Sequence, residues 1–192
     1  MKKLLLFASV IILLISSAAC GRNTRKTENI HSAIHSMYYD MDSYRADCSV
    51  TSYTPGGENT YDCDIIYNKQ NGEFTVESDN MKLCISKDKT KISKGGNSIE
   101  TPPNENDMHI FVNSFFRSYY ESESTALITS GNSKNNTTLL ECDVMNPTSA
   151  ASHMKLWINN KNVLPQKMQV YDKNGVMNTE IDFKKFEFTK EL

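Results

Sequence analysis

Met108-His109-Ile110-Phe111-Val112-Asn113-Ser114-Phe115-Phe116-Arg117-Ser118-Tyr119-Tyr120 is the stretch that decides the fold. Met108, Phe111, Val112, Phe115, Phe116, Tyr119 and Tyr120 fall at i, i+3, i+4, i+7, i+8, i+11 and i+12. That is the period of an α-helix with one wide apolar face. The helix is expected to start near Glu105 with Asn104 as its cap, behind the breaker Thr101-Pro102-Pro103. A face so rich in rings needs an apolar surface to lie on, since each buried ring contributes roughly 1.5–3 kcal/mol. Two readings follow. It is a core helix filling the concavity of a sheet, or it lines a lipid-binding cavity or partner groove.

The flanking sequence supplies the sheet. Tyr44, Ala46, Cys48 and Val50 alternate with polar neighbours, as do Tyr61, Cys63, Ile65 and Tyr67, with the turn cluster Pro55–Asn59 between them. Phe74 and Val76 mark a third strand. Met81, Leu83 and Ile85 mark a fourth, and Lys91-Ile92-Ser93 a short fifth. Beyond the aromatic helix, Ala126–Ser130 leads through the turn 131–136 to Thr138–Val144, then to Met154–Ile158. Leu164-Pro165 opens the next strand, where proline is tolerated at a strand start. Asp172-Lys173-Asn174-Gly175 is a hairpin turn before the last strand, which carries Ile181, Phe183, Phe186 and Phe188. The spacing of three between Phe183 and Phe186 predicts a bulge at Lys184-Lys185. Short strands joined by tight turns make two antiparallel meanders. Ahead of them, Ile30, Ile34, Met37 and Met41 recur at helical spacing. Thr27 is their cap, Glu28 lies in the first turn, and the end is expected near Asp42.

The amino terminus is a targeting segment. Lys2 and Lys3 precede a run of aliphatic residues from Leu4 to Ile15, shorter than the roughly 20 residues that span a bilayer. Ser16-Ser17-Ala18-Ala19-Cys20-Gly21 then resembles the lipobox of bacterial lipoproteins, in which the cysteine receives diacylglycerol and becomes the first residue. The alternative is an ordinary signal peptide cut near Ala19. The expected division is a signal peptide over 1–19, a tether over 20–28 with Arg22, Arg25 and Lys26, and a folded domain over 29–192. Removal of Lys2 and Lys3 moves the net charge from −2 to −4.

With Cys20 lipidated, Cys48, Cys63, Cys84 and Cys142 remain, an even number for an exported chain. Cys48 and Cys63 lie symmetrically about Pro55-Gly56, which sets them opposite each other across a hairpin, within disulfide reach. Cys84 has two readings: partner of Cys142 by elimination, or a surface thiol that crosslinks two copies into a homodimer.

Composition and motifs exclude more than they assign. The chain has 192 residues, 39% of them hydrophobic, and no basic excess, which speaks against a nucleic-acid partner. No CxxC, GxSxG, P-loop, GxGxxG, HExxH or EF-hand loop occurs. His31 and His35 stand four apart on the first helix without a third ligand, so no metal and no cofactor is expected. His109 and His153 each have serines nearby, a pairing that chance supplies in most chains. The expectation is a non-enzyme.

Leu156-Trp157-Ile158-Asn159, Val163-Leu164-Pro165-Gln166-Lys167-Met168, Asp172-Lys173-Asn174-Gly175 and Ile181-Asp182-Phe183 together resemble the paired-strand motifs of the LolA/LolB-like lipoprotein superfamily. The Phe115–Tyr120 helix fits the same plan. The resemblance implies an α+β fold: an unclosed antiparallel β half-barrel wrapped around an amino-terminal helix and a central aromatic helix. Within that superfamily, the lipobox, size and Asn/Lys-rich composition are similar to the germination lipoproteins of spore-forming clostridia. That likeness implies a lipid-anchored protein at the forespore or spore envelope that binds the cortex N-acetylmuramoyl-L-alanine amidase. It would thereby support formation of muramic-δ-lactam. The alternative implied is a carrier of lipid or lipoprotein acyl chains. No catalytic residue carries over under either reading.

Overall fold

From Ser43 onward the alternation of apolar and polar residues becomes one continuous sheet. The computed structural model describes residues 29–103, 108–129 and 136–189. The signal peptide, Cys20 and the tether lie outside them, as do Thr27, Glu28, Asn104 and Glu105.

The first meander runs β1 (Ser43–Thr54), β2 (Gly57–Asn68), β3 (Glu73–Ser78), β4 (Met81–Ile85), β5 (Thr90–Lys94) and β6 (Asn97–Thr101). The second runs β7 (Thr125–Thr129), β8 (Thr137–Asp143), β9 (His153–Asn159), β10 (Pro165–Tyr171) and β11 (Met177–Thr189). The sheet has 11 strands in the order β6-β5-β4-β3-β2-β1-β11-β10-β9-β8-β7. The two meanders meet where β1 pairs with β11, and β6 and β7 stay unjoined at the ends. This is the expected unclosed antiparallel half-barrel. The predicted bulge is also present. Asp47 faces Lys185 and Cys48 faces Phe183, so Lys184 is the extra residue.

Two helices lie against the concave face. The first, α1, covers residues 29–38, and α2 covers Val112–Glu121. Both are shorter than the sequence predicts. In α1 the buried stripe is Ile30, Ile34 and Tyr38, with Met37 only packed against its edge. Residues 39 and 40 form a turn, so Met41 is buried from beyond the helix. Residues 109–111, which continue the stripe's spacing, lie outside α2. Phe111 is extended at φ −97° and ψ 139°, and no side chain caps the helix. Packing fixes this start: Phe111 is fully buried and its ring lies 4.3 Å from that of Phe74 on β3. Ten residues without caps are too few for a stable isolated helix, so tertiary contact holds it.

The sequence reading places no strand over residues 97–101. β6 forms there because Gly95 and Gly96, at φ 56° and 84°, turn the chain back onto β5. All its residues are exposed, so no apolar alternation announces it.

Inner-face residues from both meanders form one core with α1 and α2, including Tyr44, Ile65, Leu140, Met154, Leu156, Ile158 and Met168. Tyr38 joins the two helices to the carboxy-terminal meander. Its ring stacks on Phe116 at 4.2 Å and its hydroxyl donates to the Val163 carbonyl at 2.7 Å. Val163 has φ 61°, a left-handed conformation that a β-branched residue rarely adopts. The Tyr38 hydrogen bond helps to hold it there.

Tyr38→Phe should therefore lower stability by about 1 kcal/mol, and Phe116→Ala by about 3–5 kcal/mol, in urea unfolding. A second expectation concerns alkali. Burial pushes the Tyr38 and Tyr44 hydroxyls far above their ordinary range. Above pH 10 the unfolded chain loses protons that the folded chain keeps. Stability that is intact below pH 10 then falls as pH rises, by up to about 1.4 kcal/mol per pH unit for each tyrosine. Unfolding midpoints measured from pH 8 to 11 should drop steeply past 10, and a flat profile would contradict the burial of these rings.

Candidate functional site

Two regions are candidates: the space between sheet and α2, and the mouth where α1 and α2 meet.

The first is filled by side chains. Phe111, Phe115 and Phe116 are buried, and Phe115 meets Phe116 edge to face at 5.4 Å. Leu140, Met154, Leu156, Ile158 and Met168 close on them from the sheet. Ser118, buried on the same helix, accepts the Met145 amide at 3.2 Å and ties α2 to the loop after β8. Cys142 donates to the Phe115 carbonyl at 3.8 Å. Of the two sequence readings for the aromatic stripe, the core helix is the one realised.

The mouth holds an open cleft of about 620 Å³, lined in part by Tyr39, Tyr120, Asn113, Arg117 and Lys69. The turn after α1 places Tyr39 outside, 68% exposed. Its ring stacks on His35 at 4.7 Å and meets Tyr120 edge to face at 5.6 Å; His35 meets Tyr120 at 5.5 Å. Burial raises the Tyr120 hydroxyl to about 12. In the cleft wall, the Tyr120 hydroxyl and the Asn113 Oδ1 are buried without a hydrogen-bond partner. The charges at the rim are balanced. Lys69 is paired with Asp40 at 2.9 Å and Asp42 at 3.7 Å, and Asp40 holds its ammonium above the ordinary lysine range. Arg117 lies 3.8 Å from Glu121 and is mostly exposed. The sequence reading put Tyr120 on the apolar stripe and passed over Tyr39, Asn113 and Lys69. Tyr39 sits next to the true stripe residue Tyr38, and the turn that exposes it has no strong sequence mark.

Cys48 and Cys63 are directly opposed across β1 and β2, as their spacing predicts. Both are buried free thiols with sulfurs 3.7 Å apart, and Cys48 also donates to the Cys63 carbonyl at 3.4 Å. The neighbouring sulfur and burial hold the Cys48 thiol protonated far above its ordinary range. The Cys84–Cys142 pairing is not realised. Cys142 is on the inner face, and burial pushes its thiol up to about 12. Cys84 lies opposite Thr75, whose hydroxyl donates to it at 3.7 Å, on the face away from Phe74 and Val76. The sheet itself separates the two sulfurs, and all four cysteines are free.

The histidines are dispersed. His35 belongs to the ring cluster, His31 is exposed, and among the described residues no three potential ligands group around a metal position. His109 is buried in the turn before α2 rather than in the helix. His153 pairs through Nδ1 with Asp143 at 3.0 Å in a lattice of outer-face charges with Glu141 and Lys155. Its neighbour Ser152 donates instead to the Asp172 carbonyl at 2.7 Å, so the two are not arranged as nucleophile and base.

Among the described residues no helix is long and apolar enough to cross a membrane. A family model described as sporulation protein YdcC-like matches residues 1–192. A comparison with curated protein sequences finds no match. Solved structures share the fold at low identity. A conserved protein from Thermus thermophilus is 10% identical with a TM-score of 0.51, covering 86% of this chain and 88% of its own. The GerS lipoprotein complex with the CwlD amidase from Clostridioides difficile gives 20% identity, a TM-score of 0.49, and coverage of 84% and 95%. A LolA-superfamily protein from Nitrosomonas europaea gives 12%, 0.46, 85% and 93%.

In the folded, reduced chain, a polar thiol reagent should label Cys84 at least about 100-fold faster than Cys48, Cys63 or Cys142. Peptide mass spectrometry after timed labelling, with and without urea, measures this directly.

Proposed function

Because the chain belongs to the sporulation protein YdcC-like family, we propose that it is an exported, lipid-anchored, non-catalytic lipoprotein. In this reading it binds the cortex N-acetylmuramoyl-L-alanine amidase and supports its activity, so that muramic-δ-lactam is made in spore peptidoglycan. The family match over the whole length carries the sporulation role. The amidase comes from the likeness of the lipobox, the size and the Asn/Lys-rich composition to clostridial germination lipoproteins. The packed interior supports a scaffold over an acyl-chain carrier, since Phe111, Phe115 and Phe116 occupy the space that a chain would need.

Cys20 is the proposed anchor. Two acyl chains on one cysteine give stable membrane attachment where a single chain gives only marginal binding. The tether then places the half-barrel on the cortex-facing side of the membrane. Cys48 and Cys63 are the proposed disulfide of the exported form, since their strand positions already oppose each other.

Deletion of the gene should abolish muramic-δ-lactam in spore cortex, as read by muropeptide chromatography. The full-length chain in detergent should co-purify the amidase from sporulating cells. Organic extraction of the purified protein should yield no stoichiometric lipid beyond the Cys20 anchor. Normal muramic-δ-lactam in the deletion strain, or a stoichiometric bound lipid, would overturn the scaffold reading.

A further inference from the structure

The cleft between α1 and α2 is not needed for the packed core, yet it gathers features that packing alone does not explain. Tyr39 and His35 form a stacked pair whose outer ring is largely in solvent, and Tyr120 completes the group edge-on. An exposed aromatic pair of this size gives up burial energy where it stands. The cleft also carries two unmet polar atoms, an acceptor on Asn113 and the hydroxyl of Tyr120. Buried polar groups without partners are rare, and each costs the free protein stability. Lys69 and Arg117 stand at the rim, but each has an acid beside it, so the cleft has no net attraction for a strong anion. Its polar rim and open mouth are a poor match for an acyl chain.

We infer that this cleft binds a β-linked N-acetylated amino-sugar oligosaccharide, with a pyranose face on Tyr39 and an acetamido group against Asn113 and Tyr120. The sugar's C–H face is apolar and flat, and it covers an aromatic ring that water would otherwise wet. Its acetamido N–H is a donor for the Asn113 Oδ1, and its carbonyl is an acceptor for the Tyr120 O–H. A few convergent polar groups beside an apolar wall are what fixes the orientation of a small ligand. Both polar atoms are covered in the free protein, so the ligand reaches them by displacing the side chains over them while Tyr39 keeps its place as the outer ring. This site stands on the cleft's geometry and does not depend on the amidase.

The test is titration of the full-length chain in detergent with chitotetraose, and with cellotetraose as the control that lacks acetamido groups. Chitotetraose should bind with Kd of about 0.1–1 mM, and cellotetraose at least about tenfold more weakly. Tyr39→Ala and Tyr120→Phe should each weaken chitotetraose about fivefold or more. Tyr120→Phe should leave the thermal midpoint unchanged or raised, because it removes an unpartnered hydroxyl. A structural role for that hydroxyl would lower the midpoint instead. Absence of chitotetraose binding, equal binding of the two sugars, or wild-type binding by both variants would overturn the inference.

Discussion

The contact between the aromatic face of α2 and the concave face of the sheet governs this molecule. A sheet of 11 strands that does not close has a large apolar hollow and two free ends. Water in that hollow would make the sheet unstable, and a single short helix can displace it only if its side chains are bulky. Phe115, Phe116 and Tyr119 meet that need, with Phe111 just ahead of the first turn. The helix in turn has no cap and no favourable terminal charges, so it depends on the sheet as much as the sheet depends on it.

That mutual dependence explains where chemistry is and is not found. The interior is spent on packing, and the Cys48 and Cys142 thiols there are held protonated by their surroundings. What is left to recognise other molecules is the outside: the polar convex face, the edge strand β6 with Ile99 two-thirds exposed, and the mouth between the helices. The mouth differs from the rest because two helices with separate reasons for their positions meet there. Tyr38 is drawn inward by Phe116 and the Val163 carbonyl, and its chain neighbour Tyr39 is thereby forced out. A ring is displayed because its neighbour is buried.

Where the sequence could be read, it was read through period. Alternation of Tyr44, Ala46, Cys48 and Val50 is a local property of a strand with one wet face, and it survives folding unchanged. The bulge at Lys184 was visible as a break in the spacing of Phe183 and Phe186. The opposition of Cys48 and Cys63 followed from their symmetry about a turn. Helix ends were less legible. The aromatic stripe continues through Met108 and Phe111 at helical spacing, but Phe111 is extended because its ring must reach Phe74 on a strand of the other meander. β6 was invisible because its backbone alone pairs.

The sequence by itself determined the strands of the two meanders other than β6, the aromatic helix between them and most of the residues that fill the core, because strand and helix period depend only on which neighbours are apolar. Tertiary structure decided that β1 and β11 join the meanders, that Cys84 and Cys142 stand on opposite faces, and that the cleft at Tyr39, Asn113 and Tyr120 exists. These depend on contacts between residues far apart in the chain, and period has no access to them. Asn113 and Tyr39 are ordinary residues in the sequence; only the meeting of two helices over one sheet brings them to a common surface.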